Sequence, residues 1–276
     1  WQMVTDRLIY TNTAGRTIEF SVDSVYHTNI RTDVKGLVSA KSTVYKEQVV
    51  GVDGAIKTGH HIDSRPIEIK GFIDFERYGD VDEYARELSA VFNPAFAGTL
   101  RFESEKTYEI DVEIEEGPDD PGNPGARYPD FKIGLIALNP NWRLSYEKEI
   151  AVADTGTDIA YGGSKECGIE IEITANADTI DMESITITHG TDVITITFRT
   201  GGGVYLMTND IMKLITIPGQ INILLNNEVA LERIDFENSA FPFLLKPGVN
   251  TITWAANGDE SDFDVVIRYT PLYLGV

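Results

Sequence analysis

The string Asp154-Thr155-Gly156-Thr157, behind the apolar run Ile150-Ala151-Val152-Ala153, is the nearest this 276-residue sequence comes to a catalytic signature. Asp-Thr-Gly on a loop after an apolar strand lets two carboxylates share one proton, so that one serves as acid and the other as base. That chemistry, familiar in acid proteases, needs a second such string, and none is present. The competing reading is an Asx-type turn between strands, where Asp, Thr and Gly are all common. The sequence favours the turn.

The other candidates weaken in the same way. His60-His61 has Asp63 close by. Adjacent residues of a strand point to opposite sides, so such a pair rarely serves one metal, and an exposed loop over 58–64 is expected. Asp119, Asp120 and Asn123 have a calcium-loop look, but intervening prolines break the alternating ligand spacing. Asp80, Asp82 and Glu83 fit the charge preference of a helix N-terminus. Gly162-Gly163-Ser164-Lys165 lacks the leading glycine of a phosphate-binding loop. Trp142 and Trp254 could stack on sugars, but a lone Trp on an alternating strand is more often core. Cys167 has no partner for an intrachain disulfide and no nearby histidine. No catalytic residue, metal ligand or cofactor is assigned, and the chain is read as a non-enzyme.

Composition narrows the partners. The net charge is −21. Residues 1–144 carry 16 Lys and Arg against 24 Asp and Glu, and the remainder carry 7 against 20. A surface so acidic repels phosphate backbones, which argues against specific nucleic-acid binding. No stretch reaches transmembrane length, and WQMVTDRLIY has no apolar run of signal-peptide length. One cysteine and no Asn-X-Ser/Thr sequon fit a protein folded in the cytoplasm.

The elements that would hold these residues are mostly strands. Leu8-Ile9-Tyr10, the turn at Asn12 to Gly15 and Thr17 to Phe20 read as a hairpin. Residues 34–50 are amphipathic and could form a projecting hairpin, with a turn signal at Gly51 to Ala55. Pro66 to Phe75 alternates over ten residues. One helix is predicted over 81–92, with capping-box spacing at Asp80 and Glu83 and a stop at Asn93-Pro94. Three prolines and three glycines in 116–125 exclude helix and ladder alike. Beyond 144, short alternating strands recur every eight to twelve residues, as in a β-sandwich. Lys246-Pro247-Gly248 predicts a type II turn, which places Ile252 and Trp254 on the buried face of the following strand.

Several strings, in order, resemble one family. They are Leu8-Ile9-Tyr10 to Phe20, Gly51-Val52-Asp53-Gly54-Ala55, and Arg65-Pro66-Ile67-Glu68-Ile69 with Gly71. Phe92-Asn93-Pro94, Leu138-Asn139-Pro140, Ile221 to Asn227, Phe243 to Ile252 and Val265 to Leu274 follow. Together they resemble a distal tail protein (Dit) of siphophages infecting Gram-positive hosts. Gly201-Gly202-Gly203 and the acidic stretch 235–239 depart from the pattern. The resemblance implies a mainly β fold. Residues 1–144 would be a ring-forming, tail-tube-like β-sandwich with one flanking helix and a hairpin, 34–50 the candidate, clasping the next subunit. Residues 145–276 would be an outward-facing, galectin-like β-sandwich whose last strand packs back on the first domain. It further implies a hexameric ring in the virion tail of a phage or prophage, made in the host cytoplasm. The ring would join the tail tube to baseplate and receptor-binding proteins, with DNA passing through its lumen and no membrane contact. The alternative is a carbohydrate-binding β-sandwich without ring assembly.

Overall fold

The computed structural model describes residues 7–21, 28–30, 34–48, 53–73, 81–118, 130–178, 184–197, 206–257 and 262–276. The predicted cap at Asp80, the calcium-like Asp119, Asp120 and Asn123, and the Gly201 to Gly203 run lie outside them. The fold is mainly β, with one α-helix among the described residues. No helix among them is long and apolar enough to cross a membrane. The chain divides into two compact units, residues 1–145 with 273–276, and residues 146–272.

Unit 1 is built on an antiparallel sheet in which Thr17–Ser21, Arg7–Asn12, Gly98–Glu103, Thr107–Glu116, Asp130–Ala137, Arg65–Ile73 and Thr28–Ile30 are successive neighbours. The period of two sorts its side chains: Arg7–Asn12 alternates exposed or half-buried with buried, and Asp130–Ala137 does the same. Thr107–Glu116 turns the sheet. Its first part pairs with Gly98–Glu103 and its last residues with Asp130–Ala137, with a register shift between Ile114 and Glu116. The helix Val81–Val91 ends where predicted and buries Leu88, Val91 and Phe92. Phe92 stacks on Tyr10 at 4.5 Å between ring centroids. Buried Asn12 joins hairpin to helix. Its amide donates to Val91 O at 2.9 Å, while its Oδ1 accepts from the N–H groups of Ala14 and Arg16.

The least expected core residue is Arg65, which is fully buried. No carboxylate among the described residues bonds its guanidinium. Nε donates to Pro140 O at 2.8 Å, Nη1 to Gly36 O at 2.6 Å and Leu37 O at 3.2 Å, and Nη2 to Leu274 O. Burial pushes its pKa down from the ordinary value, yet guanidinium keeps its proton in proteins. A buried cation is tolerable only when its donors are met, and here four carbonyls from three chain segments meet four of the five N–H groups. Gly36 makes the approach possible: it adopts φ +92°, and a Cβ there would lie 2.2 Å from Pro66 O. Val276 N–H adds a bond to Leu37 O at 3.2 Å.

Unit 2 is built on two larger sheets, beside a short pairing of Cys167–Gly168 with Leu244–Leu245. One orders Lys148–Ala151, Phe263–Tyr269, Glu170–Ala175, Ile211–Ile215, Asn222–Leu225 and Glu228–Val229; the other orders Thr157–Tyr161, Gly248–Ala256, Ser184–His189 and Asp192–Thr197. Their inner faces meet in an aliphatic core dominated by isoleucine, including Ile159, Ile171, Ile173, Ile187, Ile194 and Ile252. At the Lys246 corner the positive φ at Gly248 and the face buried by the following strand are as expected. Gly248 takes φ +110°, and Asn250, Ile252 and Trp254 are buried while Thr251 is exposed. Asn250 holds the corner from within, since its side chain bonds the N–H and C=O of Lys246 at 2.8 and 2.7 Å. A 3-10 turn, Leu231–Arg233, which periodicity did not reveal, leads into a segment that bonds along the Asp192–Thr197 strand through Asp235 N–H to Thr195 O and Ala240 N–H to Val193 O.

Replacing Arg65 with Met removes the guanidinium donors from four carbonyls, of which Leu37 O keeps the Val276 N–H, and is expected to cost at least about 3 kcal/mol. Lys, a point donor without the planar fork, should not restore the loss. Urea unfolding followed by circular dichroism reads both variants.

Candidate functional site

Asp154-Thr155-Gly156 forms the exposed corner between the edge strands Lys148–Ala151 and Thr157–Tyr161. Gly156 N–H bonds Ala153 O at 3.0 Å, and Ala153 N–H donates to Thr157 Oγ1 at 3.0 Å. Asp154 and Asp264 border an open groove of about 580 Å³ over Trp254 and Phe263. A shared proton needs two carboxylates in close contact, whereas both of these are exposed to solvent. The string is a turn between strands, closed by a backbone bond and by the Thr157 hydroxyl and not by the Asp154 carboxylate that an Asx turn would use. Gly162 to Lys165 spends its amides internally: Ser164 and Lys165 N–H both donate to Leu272 O, at 3.0 and 3.2 Å. Trp142 and Trp254 are 0 % and 5 % exposed, and Trp254 Nε1 donates to Val152 O at 2.9 Å. Neither ring is open for stacking on a sugar. Cys167 is buried, and burial pushes its thiol up to about 11.

His60 and His61 depart from expectation. They lie on the strand Ile56–Ile62, not in a loop, and that strand pairs with Ser42–Glu47 in a separate two-stranded sheet. The hairpin anticipated over 34–50 therefore takes its second strand from beyond the Gly51 to Ala55 turn signal. His61 Nε2 lies 2.6 Å from Asp63 Oδ1, and its Nδ1 is 2.9 Å from Tyr45 Oη. Thr43 Oγ1 completes the row by donating to Asp63 Oδ2 at 2.8 Å. His60 is exposed opposite Val44. Among the described residues, no three His, Cys, Asp or Glu side chains converge as a metal site.

The charge instead organises into ladders on sheet faces. In unit 2, Arg268 bonds Glu172 through two nitrogens at 2.8 and 3.1 Å and Glu149 at 2.8 Å. Lys213 reaches Glu172 at 3.0 Å and Glu170 at 3.4 Å. Arg268 foremost, with Lys213, holds the Glu172 carboxyl down at about 2. In unit 1, Glu68 gathers Lys35, Lys70 and Lys132 at 3.0, 3.3 and 3.4 Å. Its carboxyl is likewise held at about 2, Lys35 first and Lys70 next. These are the contacts of paired strand faces, without a cleft of desolvated, converging groups that would mark a catalytic centre. What remains available is surface: the exposed hairpin, the sheet edges and a few exposed apolar side chains.

Residues 13–133 match the family model of the phage tail protein RIFT-related domain. Over nearly its whole length the chain shares the fold of the SPP1 Dit protein, described as a paradigm of the hub adsorption apparatus in phages infecting Gram-positive bacteria. The two agree with a TM-score of 0.71 at 14 % identity, over 96 % of this chain and 98 % of that one. The phage P2 baseplate in its activated conformation with calcium aligns over the same shares with a TM-score of 0.46 and 12 % identity. None of the curated proteins compared with the chain matches it. In fold the chain is Dit-like, and the resemblance read from its sequence is borne out.

The Glu172 contacts carry a pH dependence. A carboxylate whose folded pKa is depressed stabilises the protein above its unfolded value, near 4.5, and loses that contribution as pH falls toward about 2. Thermal melts across this window should show a steeper acid loss for the wild type than for Glu172→Gln, which starts less stable at neutral pH.

Proposed function

We propose that this chain is a structural component of a siphophage tail tip, a ring that connects the tail tube to the baseplate and host-recognition proteins. The observation that carries the reading is the full-length fold agreement with the SPP1 hub protein, together with the tail-protein match over residues 13–133. The absence of a convergent, desolvated cluster among the described residues fits a role in assembly. In this reading unit 1 is the tail-tube-like, ring-forming part and unit 2 the outward, galectin-like part. The hairpin of Ser42–Glu47 and Ile56–Ile62 is then the arm that clasps a neighbouring copy.

The charge suits the task. A wall rich in carboxylates repels phosphates, so DNA can pass through a lumen without sticking. The location that follows is the virion tail, after synthesis in the host cytoplasm. Cyclic closure fixes the copy number through the interface geometry, and six copies are proposed.

Light-scattering mass combined with negative-stain imaging tests this. Six copies of a 30.6 kDa chain give about 184 kDa and a ring with a central opening. A particle that stays at the mass of one chain, alone and when mixed with its tail-tube partner, would exclude the ring.

A further inference from the structure

The hairpin carries a hydrogen-bonded row that assembly leaves unused. Tyr45 Oη lies 2.9 Å from His61 Nδ1, and His61 Nε2 lies 2.6 Å from Asp63 Oδ1. An ionised carboxylate only accepts, so Asp63 selects the imidazole tautomer with its proton on Nε2. The lone pair is then on Nδ1, and the Tyr45 hydroxyl donates to it. A nucleophile bonded to a base, with the base oriented by a third group, is the arrangement that makes a hydroxyl reactive.

The strand ladder fixes the row. Thr43 stands opposite His61 and donates to Asp63 Oδ2 at 2.8 Å, and Asp63 N–H bonds Lys41 O at 2.9 Å. The Tyr45 and His61 rings lie within 20° of parallel, with centroids 5.6 Å apart. Tyr45 stands opposite Gly59, which brings no side chain over the phenol ring. The register shifts directly after Tyr45, and such bulges re-aim side chains beside reactive sites. Tyr45 is 51 % exposed, so a solute reaches its hydroxyl from solvent.

We propose that Tyr45 is a nucleophile that accepts the acyl group of an activated ester, with His61 as its base and Asp63 positioning that base. As Tyr45 Oη bonds the ester carbonyl carbon, its proton passes to His61 Nδ1. The tetrahedral centre then collapses. The carbon–oxygen bond to the leaving group breaks, and that oxygen departs with the electron pair. His61 returns the proton to the leaving group or to water, and nothing is oxidised or reduced. The product is an O-acyl tyrosine on the hairpin, so the row is an acceptor site for modification. The inference is independent of copy number, and the ring reading stands whether or not Tyr45 reacts.

Brief exposure of the folded full chain to p-nitrophenyl acetate, followed by site-resolved mass spectrometry, tests this. Tyr146 is the reference within the same molecule. It is 53 % exposed, against 51 % for Tyr45, and no base bonds it among the described residues. Tyr45 should gain acetyl at least about tenfold faster than Tyr146. His61→Asn should bring the two rates to within about threefold of each other. Asp63→Asn should slow Tyr45 at least about fivefold, by releasing the tautomer. Thr43→Val loosens the row without touching its chemistry and should leave the rate within about threefold. Equal labelling of Tyr45 and Tyr146 in the wild type overturns the inference. So does a loss in Thr43→Val as large as that in His61→Asn, because rigidity and not the base would then set the rate.

Discussion

A fully buried guanidinium whose partners among the described residues are backbone carbonyls is the constraint around which unit 1 is arranged. Arg65 has to find oxygen for its donors inside the protein, and the oxygens it finds are backbone carbonyls. Carbonyls come with their chains attached. Three segments far apart in sequence, around Gly36, Pro140 and Leu274, are therefore brought to one point, and each arrives with its direction fixed. The charge has been traded for geometry. The root of the exposed hairpin, the turn that closes the first part of the chain and the final residues are all defined by one side chain. A hydrophobic residue could fill the same volume, but it would have no preference among the possible approaches of those segments.

Unit 2 achieves definition by another route. Its interior is mainly aliphatic, and apart from the buried Arg233 its polar anchors are uncharged: Asn250 at the Lys246 corner, and Thr216, whose hydroxyl donates to Phe243 O at 2.7 Å. Its charges lie on the outer face, where Arg268 and Lys213 thread between three glutamates. Such partly exposed networks contribute modestly to stability at neutral pH. They settle the local charge of strands that would otherwise present neighbouring carboxylates to one another, which matters in a chain with so large an acidic excess.

Much of this was legible in the residues. Period-two alternation located most strands of both units, because a half-buried ladder leaves that signature directly. Lys246-Pro247-Gly248 announced its turn and the face on which Trp254 is buried. The Asn93-Pro94 stop placed the end of the helix to within a residue. Arg65 was legible only as one position in an alternating run, since nothing local distinguishes an arginine that will meet water from one that will meet carbonyls. The partner strand of the hairpin leaves no alternation to read, because Ile56–Ile62 contains Gly59 and two histidines and has no buried face to impose a pattern. The segment bonded along Asp192–Thr197 escaped for a related reason. It follows the strand through isolated hydrogen bonds, and such contacts have no period.

The last four residues belong to unit 1, although the preceding 127 belong to unit 2. Unit 2 is thus an insertion with both of its covalent connections leading into the same body. A domain joined in this way can be lengthened, shortened or exchanged without creating a new chain end. A single backbone cut within it leaves both fragments anchored, the earlier by the sheet of unit 1 and the later by the carbonyl that Arg65 holds. The arrangement makes unit 2 a cassette, open to variation while both of its connections stay within unit 1.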